Sequence, residues 1–418
     1  MNRIKKFFKT LGPGFITGAS DDDPSGIATY SQTGALFGFQ QAWTAPFSFP
    51  FMVVVQEMCG RIGLVTGRGL AGVIRQHYSK KLLYPTVLLL FVANTINIGA
   101  DLGAMAASAE LIFGLPFFFW LFVTVFLTLT LEILVSYKNY SRYLRYLTFA
   151  LFSYILAAFF IKIDWVHVLR ATIIPNIQFT NTYLINIVAV LGTTISPYLF
   201  FWQASEEVEE EVAHHKLRQM GAGNPKVTPK DITRLRIDTV IGMFFSNLIM
   251  WFIIVTTGAT LFPAGIHTIN SASQAALALR PFAGDFAFVL FALGIIGTGL
   301  LAVPILAGSA SYAVSEAFGW KEGLYRKLFK APGFYGVIAI ATLIGFFINF
   351  IGINPISTLY YTAVINGIIA PPLLIIILIV ANNRGVMGKR VNGITSNILG
   401  IFVTLLMSVA GILLLLNL

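Results

Sequence analysis

Charge is scarce in this chain. Asp, Glu, Lys and Arg make up 11% of its 418 residues, less than half the roughly 25% of a soluble globular protein. Hydrophobic residues make up 56%, and the mean hydropathy is +0.79. So few charges cannot cover a water-facing surface, which excludes a soluble protein of this length and makes lipid the solvent for most of the chain. Cysteine is nearly missing as well. Cys59, inside an apolar run, stands alone, so an intrachain disulfide and a CxxC metal site are both excluded. The five histidines all fall outside the apolar runs. No His-Glu-x-x-His, nucleophile elbow or phosphate loop occurs, and an enzyme is not expected. The net charge of +10 would suggest nucleic acid in a soluble protein. Here the bases sit in short loops between apolar runs, and no nucleic-acid partner is expected.

Eleven apolar runs are present, at about 11–38, 42–65, 82–109, 117–137, 143–162, 183–203, 236–260, 282–312, 334–351, 356–381 and 394–417. They suit spanning helices of ~20 residues and lack the alternation of membrane β-strands. The expected fold class is therefore an all-α, multi-pass membrane protein whose partner is the lipid bilayer. With the N-terminus inside, 25 of the 28 Lys and Arg residues fall on the cytoplasmic side, and only Lys162, Arg170 and Arg280 on the other. That is a strong positive-inside bias. It predicts a cytoplasmic N-terminus in a prokaryotic plasma membrane, with 1–10 a basic tail rather than a signal peptide, and an extracellular C-terminus. The one long polar insert, 204–235, carries Glu206, Glu207, Glu209, Glu210 and Glu211, then His214 and His215. It reads as a cytoplasmic loop with a solvated helix whose charges face water; metal sensing is the alternative.

Two runs are interrupted. Asp21, Asp22 and Asp23 are consecutive inside the first run, where each acid costs roughly 2.5–3.5 kcal/mol on insertion scales. Pro24 removes a backbone donor and disfavours helix at Asp23, and Ser25 and Gly26 follow. The helix is expected to unwind over 21–26, lining a cavity with carbonyls and carboxylates. The sixth run is broken alike at Thr193-Thr194-Ile195-Ser196-Pro197-Tyr198, where Pro197 frees the Thr193 carbonyl from the helical ladder. Interrupted helices at matching positions of two five-helix halves, 11–162 and 183–381, point to inverted repeats around a midplane site. The run 394–417 is then an extra eleventh helix.

These residues carry a resemblance. Gly12-Pro13-Gly14-Phe15 followed by Asp23-Pro24-Ser25-Gly26, Arg61-Ile62-Gly63-Leu64-Val65-Thr66-Gly67 and Ile112-Phe113-Gly114-Leu115-Pro116 together resemble the Nramp family of divalent metal transporters. The resemblance implies a LeuT-type fold with the first and sixth helices discontinuous. In that family the metal is held by an aspartate and an asparagine of helix 1 and by a backbone carbonyl and a methionine of helix 6. Carried over, the aspartate is Asp23, the asparagine has become Gly26, the carbonyl falls on Thr193, and the methionine has become Ser196. The histidine that follows the proline has become Tyr198.

The departures shift the expected cargo. Losing sulfur removes the donor that favours soft transition metals, while carboxylate, carbonyl and water suit hard cations. Mg²⁺ binds through one or two carboxylates and keeps several waters, for which Gly26, Ser25 and Ser196 leave room. Asp21 and Asp22 are expected to act through the water shell. The pattern resembles the Nramp-related magnesium transporter branch, with Mn²⁺ also accepted; the ion is cargo, and no cofactor is expected. Relatives use acids of helix 3 and an arginine of helix 9 to couple protons. Here Asp101 keeps one acid, Ile98 replaces the other, and the ninth run is uncharged, so weak or absent proton coupling is expected. A proton-coupled Mn²⁺/Fe²⁺ transporter, an Al³⁺ transporter and a sodium-coupled solute symporter are the alternatives. A monomer suffices for this scheme.

Overall fold

The computed structural model describes residues 12–134, 151–223 and 225–417, and among these it is helical with no β-strand. The basic tail 1–10 and the first half of the fifth run lie outside the described residues. The first run forms two helices, α1 (Pro13–Asp21) and α2 (Pro24–Phe37). Then come α3 (Thr44–Thr66), the short α4 (Leu70–His77), α5 (Lys80–Phe113) and α6 (Phe117–Leu134). Of the fifth run, α7 (Phe152–Phe160) is described, followed by α8 (Trp165–Ile173). The sixth run is again two helices, α9 (Asn181–Thr194) and α10 (Pro197–Ala213). The second half continues with α11 (Pro229–Thr260), α12 (Ala287–Phe318), α13 (Pro332–Ile348), α14 (Pro355–Asn382) and α15 (Ile394–Asn417).

Among the described residues, nine helical segments are long and apolar enough to cross a bilayer. The first run is not one of them because Asp21, Asp22 and Asp23 put three acids in its middle. The architecture encloses the four half-helices. α1 and α2 pack on α11, α9 on α14, α10 on α3, and α5 on α12. At the periphery, α6 turns Phe122 and Phe126 outward, the latter 75% exposed, as lipid contact requires.

Small residues bring α1 against α11. A Cβ on Gly18 would lie 2.3 Å from the carbonyl carbon of Gly242, so here backbone meets backbone, as at small-residue seams between membrane helices. The α1 N-terminus is fixed to the same helix: Asp238 accepts from the amides of Gly12 (2.9 Å) and Gly14 (2.8 Å). The carboxylate thus satisfies two of the orphan donors at a helix start.

One expectation is corrected. The polar insert 204–235 has helix at both ends, but not all of its charges face water. α10 runs on to Ala213 and α11 begins at Pro229, and Glu207 and Glu211 are buried instead of facing water. They lie on the face of α10 turned toward α1 and α11. The gap after α3 also contains a helix, α4, which the sequence reading missed. Its amides at Gly69 (2.6 Å) and Gly72 (2.9 Å) donate to Glu316 of α12.

Candidate metal-transport site

Both breaks use the same local grammar. Asp23 (φ −67°, ψ 171°) and Ser196 (φ −79°, ψ 133°) are extended N-cap residues, each followed by proline at the first helical position, where a missing N–H costs nothing. Each break is only two residues long, Asp22-Asp23 and Ile195-Ser196. The expected unwinding over 21–26 is therefore too wide: Ser25 and Gly26 belong to the first turn of α2, because an N-cap carboxylate and a proline are enough to restart a helix at once.

Asp23 is held by two donors. Its Oδ1 accepts from the Gly26 amide at 2.6 Å, and its Oδ2 from Asn97 Nδ2 at 3.0 Å. Gly26 opens onto oxygen. A Cβ there would lie 3.1 Å from the Asp21 carbonyl, 3.3 Å from Thr193 Oγ1 and 3.4 Å from Asp23 Oδ1. The two breaks thus converge at Gly26 through oxygen atoms. Across from it, Ser196 Oγ lies 2.6 Å from the Thr193 carbonyl and 2.9 Å from that of Gly192. The carbonyl released by Pro197 has been taken up by the serine hydroxyl. With one proton to donate, Ser196 keeps lone pairs free to accept.

The remaining predicted residues divide. Tyr198 donates to the Ser20 carbonyl at 2.8 Å, tying α10 to α1. Asp21 and Asp22 turn to α11, where Ser246 Oγ lies 2.7 Å from Asp21 Oδ2 and 3.2 Å from Asp22 Oδ1. Asp101 is fully buried, and neither of its carboxylate oxygens has a hydrogen-bond partner. Ser25 is buried in the first turn of α2. Among the described residues no three His, Cys, Asp or Glu side chains form a direct metal cage. The arrangement can offer a cation one charged carboxylate, neutral oxygens and its own retained waters.

Asn97 is the site residue that sequence reading missed. It lies one helical turn before Asp101, so both occupy one face of α5. Its side-chain Oδ1 is buried and unpartnered.

The match to known proteins extends over nearly the whole chain: residues 14–417 fit the family model Nramp, described as natural resistance-associated macrophage protein-like. The chain belongs to the Nramp family. A divalent metal cation transporter MntH of Erwinia tasmaniensis is 25% identical to this Nramp protein over 394 residues, covering 92% of this chain and 88% of the relative. The MntH of Caldanaerobacter subterraneus is 24% identical over 426 residues, covering 99% and 94%. In fold, the chain is similar to the Eremococcus coleocola manganese transporter (TM-score 0.76, 15% identity, 97% of this chain and 86% of that one). It is also similar to Mhp1, a nucleobase-cation-symport-1 family transporter (TM-score 0.61, 12% identity, 97% and 90%). This Nramp chain is thus a multi-pass membrane protein of LeuT-type fold.

Proposed function

We propose that this transporter imports hard divalent cations, Mg²⁺ first and Mn²⁺ also, by alternating access and with weak or no proton coupling. The observation that carries the reading is the oxygen-lined approach to Gly26, where the Asp21 carbonyl, Thr193 Oγ1 and Asp23 Oδ1 surround the position of a missing side chain. Neither break contains methionine, cysteine or histidine. A donor set of carboxylate, hydroxyl and carbonyl oxygen suits Mg²⁺ and Mn²⁺ and gives no advantage to softer ions.

In this reading Asp23 supplies the one direct charge, and the Gly26 amide and Asn97 hold its orientation. Thr193, Ser196 and Ser25 meet the ion or its water shell. Asp21 and Asp22 add negative field from the α11 side, and Asp101 does so from α5. Rocking of α1 and α10 against their neighbours alternates access, in two repeats, 11–162 and 183–381, with the basic face toward the cytoplasm. The absence of any charged residue from α13 and a tyrosine at position 198 leave few stepping stones for a proton wire.

The second reading is an ordinary transition-metal transporter. It is favoured by the relatives' names, divalent metal cation transporter and manganese transporter. Influx into proteoliposomes with an entrapped Mg²⁺ reporter separates the two. Saturable Mg²⁺ uptake, competed by Mn²⁺ and lost in Asp23→Ala, is expected. Protein that carries Mn²⁺ but no Mg²⁺ returns the chain to the second reading, and stoichiometric lumen acidification overturns the uncoupled mechanism.

A further inference from the structure

A second group of acids lies at the other end of α1. The start of α1, the end of α10 and the start of α11 frame a half-open cavity of about 300 Å³. Glu207, Glu210, Glu211, Asp231 and Asp238 line it, against Lys216, Arg234 and the imidazole of His214, which lies 3.5 Å from Glu210 Oε1. The bases are engaged: Lys216 pairs with Asp231 at 2.8 Å, and Arg234 with Glu210 at 3.2 Å. Glu207 accepts from Gln203 Nε2 at 3.0 Å, and Asp238 holds the two α1 amides. Glu211 has nothing. It is 2% exposed, and neither carboxylate oxygen has a hydrogen-bond partner. Burying a carboxylate without hydrogen bonds is unfavourable, and most of the lining that surrounds it is itself acidic.

We propose that this cavity is a second site for a hydrated divalent cation, whose occupancy keeps α1 docked on α11. At about 30 Å³ per water, a cation with six waters needs roughly 180 Å³, which the cavity provides. Mg²⁺-like ions keep such waters and accept carboxylates through them, which agrees with the lack of a direct three-ligand cage among the described residues. The site is distinct from the one at Asp23: the nine residues of α1 separate them by about 13 Å along the helix axis. The cation shares Asp238 with the α1 amides, and the cavity exists while α1 is docked. A ligand shifts a protein toward the state that holds its site, so filling the cavity opposes departure of α1. If the basic face is cytoplasmic, delivered ion thereby slows further delivery.

The proposal rests on the transport reading, and the test separates the two. Mn²⁺ is titrated into the full-length protein in nanodiscs, with bound ion read by electron paramagnetic resonance. Asp23→Ala is expected to retain one bound equivalent, and Asp23→Ala with Glu211→Gln none. If Asp23→Ala alone removes all binding, the second site is overturned and the transport site stands. If Asp23→Ala removes nothing while Glu211→Gln removes an equivalent, the second site stands and the transport assignment fails. Glu207→Gln repeats the test should Glu211→Gln prove unstable. In proteoliposomes loaded with Mg²⁺, initial Mn²⁺ influx is expected to slow about fivefold or more for the parent protein, and clearly less for Glu211→Gln. Equal slowing in both overturns the link to α1.

Discussion

Asn97 Nδ2 lies 3.0 Å from Asp23 Oδ2, joining the middle of α5 to the break between α1 and α2. The contact orients the one carboxylate at which the two broken helices converge. It also brings a second, unpartnered oxygen, Asn97 Oδ1, close by. The resemblance implies an amide side chain from the first broken helix, where this chain has Gly26; Asn97 of α5 brings an amide to Asp23.

Removing that amide should be felt in uptake before stability. A hydrogen bond to a charged group contributes roughly 1.5–3 kcal/mol, so Asn97→Ala is expected to weaken apparent Mg²⁺ affinity about tenfold or more. The concentration dependence of reporter influx measures it. Unchanged affinity would mean that Asp23 is held adequately by the Gly26 amide alone.

Selectivity should follow the donor atoms. Ser196→Met returns a sulfur and removes the hydroxyl that caps the Thr193 carbonyl. Combined with Gly26→Asn, it is expected to raise the Mn²⁺ and Cd²⁺ flux relative to Mg²⁺ in competition assays. A Cβ at position 26 meets its three oxygen neighbours at 3.1–3.4 Å, tight but requiring only small shifts. A ratio unmoved by both changes would place selectivity outside the breaks.

The seam between α1 and α11 should tolerate no side chain. A Cβ at Gly18 would sit 2.3 Å from Gly242 backbone, and overpacking costs typically about 1–3 kcal/mol. Gly18→Ala should therefore lower the thermal melting temperature in detergent, whereas Gly336→Ala, where a Cβ meets nothing within 4 Å, should not.

Arg61 should resist replacement even by lysine. It pairs with Glu57 at 3.1 Å, both side chains being nearly inaccessible, and also donates to the Arg390 carbonyl and Asn392 Oδ1. Glu57 is shared with Arg236 at 3.0 Å. Breaking a buried pair costs about 3–5 kcal/mol, and an ammonium cannot reproduce the guanidinium fork. Melting of Arg61→Ala and Arg61→Lys checks this, with both expected well below the parent.

The breaks were legible in the sequence because proline acts locally. Asp23-Pro24 and Ser196-Pro197 each spell an N-cap followed by a first helical residue. Their width was overestimated because nothing in the sequence says how quickly a helix restarts. Asn97 was hidden because its partner is 74 positions away, and a lone amide in an apolar helix carries no local signal. Its spacing of four from Asp101 was the one clue available. The fate of Glu207 and Glu211 was equally out of reach. Their acidic neighbours suggest water, and only the approach of α1 and α11 removes it.

The bare contact at Gly18 and Gly242 has a mechanical consequence. Interlocked side chains would have to unthread one by one before α1 could part from α11. At this crossing two stretches of backbone lie together with nothing to unthread, and the ring contact of Phe15 with Phe245 is the side-chain contact to release. On the α11 side the polar ties of α1 are at its two ends, Asp238 at one and Ser246 at the other, while Thr17 and Ser20 tie it to α10 through Gln203 and Tyr198. Toward α11 the helix is a lever with two catches, and Asp23 stands beside one of them.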